Sequence, residues 1–222
     1  MLSTKITTRN DDYEGDVQVG KTIRFGRYFQ KKVSAPEPIE WLVLNKEGGK
    51  ALLISKYALD CQKYNTSYTT VTWKTCSLRN WLNGRFLHAS FSSNEQNSIM
   101  DTTVSADENP SFSTSPGNNT TDKVFLLSIT EVNKYFSSDE ARKCAPTDYA
   151  KVHGAYTNSD FSSGLKVTCS WWLRSPGTVS DYAALVVSSG SVYSRGNYVS
   201  NGDVAVRPAM WIKLESLSSD QK

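Results

Sequence analysis

Gly15-Asp16-Val17-Gln18-Val19-Gly20-Lys21-Thr22 spells the phosphate-loop pattern GxxxxGK[ST], in which main-chain N–H groups and a helix amino terminus cradle phosphates. That chemistry needs a buried strand before the loop and a helix after it. Here Asn10-Asp11-Asp12-Tyr13-Glu14 precede it, and Ile23, Phe25 and Arg27 follow in a strand-like period of two, so no nucleotide site is expected. Cys61, Cys76, Cys144 and Cys169 lack the close pairs that place two thiolates on one metal, and His88 and His153 stand far apart with no HExxH spacing. Neither a metal nor a cofactor is expected, and nothing in the sequence sets a histidine beside a thiol for nucleophilic catalysis. The cysteines are expected to be reduced and packed as small hydrophobes.

Trp171-Trp172-Leu173-Arg174-Ser175-Pro176-Gly177 is the most distinctive heptad. Adjacent strand residues face opposite ways, so one tryptophan is expected in the core and the other near a surface or second layer. Arg174 beside two indoles reads as a partly buried guanidinium paired with carboxylates or carbonyls, not as a catalytic group.

After this heptad the composition changes. From Leu173 to Ala209 there is no Lys, Glu, Gln, Trp or Met, although these types make up 39 of the 222 residues. An apolar skeleton of Ala183, Ala184, Val186, Val192, Val199, Val204 and Val206 alternates with Ser, Tyr, Asn and Asp, and Gly190, Gly196 and Gly202 punctuate it. Three or four short antiparallel strands are expected, valines inward, serines and tyrosines outward. Solvated strands ordinarily carry Lys, Glu and Gln; tyrosine with serine, glycine and asparagine is the composition of recognition loops, where rigid aromatic area costs little entropy. Ligand contacts are therefore expected from Thr178, Ser180, Asp181 and Tyr182, then from Ser188, Ser189, Ser191, Tyr193, Ser194 and Arg195, and finally from Asn197, Tyr198, Ser200, Asn201 and Asp203.

The elements that would position this surface are read from periodicity. Ile39–Leu44 and Ala51–Ser55 flank turn residues that include Gly48-Gly49, which predicts a β-hairpin. Leu78, Trp81, Leu82 and Phe86 predict a helix from about Trp73 to Asn83. Ser93 with Gln96 and Ser128 with Glu131 resemble capping boxes, the second after an expected apolar strand Val124–Leu127. The stretch from Ser105 to Asp122 reads as a long surface loop, and Val206–Ile212 as a last strand with Pro208 at an edge or bulge. A polar arm at 1–18, one domain over 19–214 with 173–209 as its ligand-display region, and a polar tail at 215–222 complete the plan.

Composition excludes several classes. With 38% hydrophobic and 21% charged residues the chain is neither disordered nor fibrous. The net charge of +3 is scattered, so a nucleic-acid partner is not expected. No run approaches 18 apolar residues and residues 1–12 are polar, so neither membrane insertion nor a secretory signal is read, which leaves the cytoplasm or a phage particle as the expected location. Without export, the sequons at Asn65-Thr66-Ser67 and Asn118-Asn119-Thr120-Thr121 carry little meaning.

Val19-Gly20 through Phe25-Gly26-Arg27-Tyr28, Pro38–Leu44, Leu78-Arg79-Asn80-Trp81-Leu82-Asn83, Phe125–Ser128, Trp171–Gly177 and Val206-Arg207-Pro208-Ala209 together resemble a bacterial domain family of unknown function, common in gut Firmicutes and their phages. The resemblance implies an α+β, C-type lectin-like fold related to the formylglycine-generating-enzyme branch, with short helices around antiparallel β-sheets. It also implies a variable protein of a diversity-generating retroelement, recognising a protein or glycan on a cell surface without catalysis. Randomised AAC or AAT codons become NNC or NNT, which never encode Lys, Glu, Gln, Trp or Met, the five types missing from the terminal segment. The calcium motifs of sugar-binding lectins are absent, since Glu108-Asn109-Pro110 has the letters in the wrong order, and only Cys169 lies in the carboxy-terminal quarter, so the reactive cysteine pair of formylglycine-generating enzymes is not assigned. A carbohydrate-binding module of fixed specificity and an enzyme of that type are the alternatives.

Overall fold

The alternation that starts at Ile23 becomes strand β1 (Thr22–Tyr28) in the computed structural model, which describes residues 17–31, 35–160 and 164–215. Ile23, Phe25 and Tyr28 point into the core while Thr22, Arg24 and Arg27 face solvent. A strand therefore follows Gly20-Lys21, where a phosphate loop needs a helix. Of the expected polar arm, only its last two residues fall within the described chain, and of these Val17 is buried; the tail beyond 215 lies outside it.

Strands β2 (Glu37–Glu47) and β3 (Lys50–Ser55) form the expected hairpin. Its two-residue turn, Gly48-Gly49, has φ of 52° and 75°, a left-handed pair that glycine adopts without a Cβ penalty. The chain then makes β4 (Asp60–Cys61), helix α1 (Ser77–Trp81), a π-helical turn (Leu82–Phe86) and α2 (Leu87–Ser90). The helical stretch thus begins four residues later than expected and runs seven further. Residues before it are held in a turn, with the Thr75 and Cys76 amides both donating to Thr72 O, and Cys76 is the cap. The wider π turn keeps Leu78, Leu82 and Phe86, spaced by four, in the core.

Helix α3 (Ser93–Ser98) is capped one residue earlier than expected, by Ser92 with Glu95. The buried Glu95 carboxylate is fixed there because it accepts from the Ser92 amide at 2.7 Å and the Gly26 amide at 3.1 Å. Strands β5 (Thr102–Val104) and β6 (Thr120–Asp122) pair with each other and close the long loop between them. Val124–Leu127 is buried but is not a strand; only Phe125 bridges, to Ala209. Helix α4 (Ile129–Tyr135) opens with the expected Ser128–Glu131 capping box, and α5 (Asp139–Arg142), α6 (Asp148–Val152) and the paired β7 (Thr157–Asp160) and β8 (Lys166–Cys169) follow.

The terminal segment supplies β9 (Trp171–Pro176), β10 (Tyr182–Val186), β11 (Val192–Tyr198), β12 (Ala205–Val206) and β13 (Ala209–Lys213). Two sheets result, one ordered β1-β2-β3-β13 and the other β11-β10-β9-β12-β4. The expected last strand is split: β12 belongs to the second sheet and β13 to the first, and the chain changes sheets at Arg207-Pro208, whose proline carbonyl accepts from the Ser55 amide at 2.9 Å. The β9–β12 pair is parallel, unlike the antiparallel pairing expected throughout. Among the described residues the fold is mixed α+β, mostly antiparallel sheets with few short helices. No described helix is long and apolar enough to cross a membrane.

Both tryptophans of the heptad are fully buried, not one. Strand β9 is the middle strand of its sheet, and packed elements cover both of its faces. The Trp171 indole donates to Arg142 O and the Trp172 indole to Gln62 O. Ala183, Ala184, Val186, Val199, Val204 and Val206 are buried as expected, whereas Val192, at the start of the edge strand, is only half-buried.

Candidate ligand-recognition surface

The arginine of the heptad organises the base of this surface. Arg174 Nη1 donates to Leu126 O at 2.9 Å and to Glu131 Oε2, Nη2 donates to Glu131 Oε1 and Asp107 Oδ2, each at 3.1 Å, and Nε donates to Ser105 O at 3.2 Å. Every guanidinium donor is used, as a buried charge requires. Glu131 is also the capping-box residue of α4, accepting from the Ser128 amide at 2.9 Å, so one carboxylate locks the helix start onto β9. The loop from 105 to 119 is tied down in the same way: Asn109 is buried and its side-chain amide donates to Pro176 O at 2.7 Å and Ser194 O at 2.8 Å.

On this base β11 forms the open edge of the sheet. Tyr193, Arg195 and Tyr198 are exposed, the outward positions passing from odd to even numbers at Gly196. The register slips there, and Gly196 has φ of 77°, with its missing Cβ directed at the Ala183 carbonyl oxygen. Tyr182 and Tyr198 are cross-strand partners with ring centroids 4.6 Å apart. Tyr68 joins them from the loop after β4, 5.1 Å from Tyr198, and is 57% exposed. A hydrogen bond to Asp181, together with partial burial and the charge of that carboxylate, pushes the Tyr68 hydroxyl up to about 12. The Tyr182 hydroxyl, bonded to Tyr198, is likewise raised to about 12. Tyr68, Tyr198, Ser200 and Asn201 line an open groove of about 410 Å³. Thr70 shares a 3.2 Å hydroxyl contact with Ser180, and Val71 N donates to Ser180 O, so the loop carrying Tyr68 is fastened to the sheet.

The expected contact residues divide into two groups roughly 20 Å apart along β11. Asp181, Tyr182, Tyr198, Ser200 and Asn201 come together at one end around Tyr68. At the other, the hairpin tip is bound to its neighbours: Ser188 Oγ accepts from Asn158 at 2.6 Å, Ser191 Oγ donates to Asp139 Oδ2 at 2.5 Å, and Ser189 Oγ donates to Ser191 Oγ at 3.4 Å. Main-chain atoms of Thr178 and Ser194 serve the scaffold, the Thr178 amide donating to Arg195 O and Ser194 O accepting from Asn109. The Asn197 and Asn201 side-chain oxygens accept from the next and next-but-one amides, and Asp203 O accepts from the Tyr156 amide. Tyr68 and Thr70 are absent from the expected set. Their signal was legible: Asn65-Thr66-Ser67-Tyr68-Thr69-Thr70 has the composition of the terminal segment.

The four cysteines are unbridged and buried. Cys144 and Cys169 nevertheless meet, the Cys169 amide donating to Cys144 O at 2.9 Å. Burial opposes ionisation of Cys144, but a hydrogen bond from Cys169 and the charge of Arg207 prevail and lower it, while Cys169 is pushed up. Spacing alone did not bring this pair together. Among the described residues no group of three or more His, Cys, Asp or Glu is placed to hold a metal ion.

The architecture is thus that of an α+β protein whose second sheet carries an aromatic outer edge on a densely hydrogen-bonded base. Residues 48–214 match the family described as a domain of unknown function, DUF6273, and the chain belongs to that family. No curated protein and no solved structure matches it.

Proposed function

We propose that the protein is a non-enzymatic recognition module that binds a protein or glycan on a cell surface through the Tyr68–Tyr182–Tyr198 end of its second sheet. The observation that carries this reading is the cluster itself: three tyrosines, two of them about half exposed, gathered from two separate segments beside an open groove. Isolated exposed aromatics are ordinary, but a clustered set on a rigid base is the composition of binding hot spots. The C-type lectin-like relation, a gut-bacterial or phage origin, and diversification by a retroelement belong to the same proposal.

The scaffold supports diversification in one physical respect. A Cβ at Gly177, Gly190 or Gly196 would collide with main-chain atoms of Arg195, Asp139 or Ala183, while side chains at 193, 195 and 198 project outward. Sequencing many copies of the gene should show substitutions at 182, 193, 195 and 198 and none at the three glycines, beside a reverse transcriptase and a near-repeat of the terminal coding segment. A single invariant copy with no such repeat would remove the retroelement from the reading.

Binding is tested directly on arrays of glycans and cell-surface proteins with the wild type and a Tyr68→Ser/Tyr198→Ser variant. Each anchor is expected to contribute about 2 kcal/mol, so the double variant should lose binding by at least ~100-fold. Equal binding by both proteins would sink the assignment of this surface.

A further inference from the structure

A second concavity, of about 360 Å³, opens beside Gly202, and its walls include Cys61, Lys63, Ser77, Trp81 and His153. Its volume falls within the range of small-molecule sites. Behind it lies the buried Asp60, whose Oδ2 accepts from the Tyr28 hydroxyl at 2.6 Å and whose Oδ1 accepts from the Cys61 amide at 2.7 Å. The Nδ1 of His153 faces the same Oδ1 at 2.7 Å. Surrounded by donors, the carboxylate is the acceptor in each of these bonds, so the imidazole proton sits on Nδ1. Tyr149 packs on the ring, centroids 4.0 Å apart, and fixes its plane. The opposite ring edge, with Nε2, is left to the cleft.

Of the remaining wall groups, Ser77 Oγ accepts from the Thr66 amide at 2.9 Å, whereas the Lys63 ammonium and the Trp81 indole N–H are uncommitted. Lys63 is exposed and has no carboxylate partner among the described residues. Trp41, Trp73, Trp171 and Trp172 each donate their indole N–H to a protein oxygen, whereas Trp81, like Trp211, has no protein acceptor among the described residues, and the Trp81 ring packs on Phe86 with centroids 5.3 Å apart. Cys61 is not a nucleophile here, because burial and the nearby Asp60 push its thiol up to about 12 and its Sγ donates to Gly202 O at 3.2 Å.

We propose that this cleft binds an acidic monosaccharide unit, a hydroxylated ring bearing one carboxylate. Lys63 meets the carboxylate, His153 Nε2 bonds one ring hydroxyl, and the Trp81 indole N–H donates to another. Each assignment matches an unspent group to the partner it lacks: an anion for the ammonium, a hydroxyl for the ring nitrogen, and an acceptor for the indole N–H. The site uses none of the three tyrosines of the display surface, so its occupancy is independent of the recognition reading.

The purified chain is titrated with D-glucuronate and N-acetylneuraminate, with D-glucose as the neutral control, by following indole N–H signals in ¹H–¹⁵N spectra. The Trp81 signal is assigned by its loss in Trp81→Phe. Saturable shifts of that signal are expected with at least one acid, with affinity at least about tenfold above D-glucose and a similar loss in Lys63→Ala, an exposed position whose change leaves the fold intact. A Tyr68→Ser/Tyr198→Ser protein should titrate as the wild type does. Sialyllactose, which carries the acid at a glycan end, separates the two sources: saturation marks a glycan terminus, and exclusion marks the free sugar acid. No saturable shift with either acid, glucose binding as well as glucuronate, or full affinity in Lys63→Ala would each overturn the proposal.

Discussion

Strands β9 and β11 lie in one sheet, two positions apart, and each carries an arginine, yet they have opposite fates. All of Trp171–Pro176 is buried, and Arg174 is held by two carboxylates and two carbonyl oxygens. Along Val192–Tyr198 only Gly196 is buried, and Arg195 is exposed with no ion pair among the described residues. The difference lies in place, because β9 is central and has strands on both sides while β11 closes the sheet at its edge. Position in the sheet decides whether a guanidinium is structural or available, and the flanking residue types follow that position.

The largest test of this contrast is Trp172→Ala, which leaves a cavity in the central strand and an unpartnered Gln62 carbonyl. A loss of about 3–5 kcal/mol in urea unfolding is expected, and a cost near that of an edge substitution would erase the distinction. Arg174→Met should cost a comparable ~3–5 kcal/mol, because Glu131 and Asp107 then share a site without their counter-charge. Adding Glu131→Gln to that variant should restore part of the loss, which separates unpaired charge from lost packing. Gly196→Ala is the intermediate case: a left-handed φ and the Ala183 carbonyl oppose its Cβ, and about 1–3 kcal/mol is expected from thermal melts. Tyr193→Ser with Arg195→Ser should cost about 0.5 kcal/mol or less for each substitution and leave the melting temperature within a few degrees. The smallest effect is spectroscopic. The Asp181 carboxylate favours the neutral Tyr68 phenol by accepting its hydrogen bond and repelling its anion, so Asp181→Asn should lower the Tyr68 titration from about 12 toward the ordinary 10, read by ultraviolet absorbance. An unchanged midpoint would remove Asp181 from the cluster.

Local chemistry was legible in the sequence, and distant partnership was not. The hairpin at Gly48-Gly49 and the cap at Ser128 depend on residues within four positions, so spacing suffices to find them. Helix α3 is capped one residue before the expected position, because the choice between Ser92 and Ser93 is settled partly by Gly26, 69 residues from Glu95. Val124–Leu127 is apolar enough for a strand, yet it is enclosed as irregular chain with a single bridge, a decision made by neighbours and not by its own residues. Both tryptophans of the heptad are buried for the same reason, since alternation assigns faces and cannot say whether both faces are covered. That Arg174 would be partly buried and paired followed from its surroundings, whereas its nearly complete burial and its partners Glu131 and Asp107, 43 and 67 residues away, depend on the fold. The tyrosine cluster was half visible: Tyr182 and Tyr198 came from composition, and Tyr68 needed the fold to deliver it.

The change of sheets at Pro208 also sets an order of events during synthesis. Strand β3 is completed early, but the strand that covers its outer edge, β13, lies at the far end of the domain, and Arg207 reaches Ser55 O across 152 positions of sequence. At ribosomal speeds of about 5–20 residues per second, that edge waits on the order of 10–30 s for its partner. During that interval Leu52, Leu53 and Ile54 present an open strand to any other nascent chain, so the yield of folded protein should depend on chaperone supply and translation rate well before it depends on the stability of the finished domain.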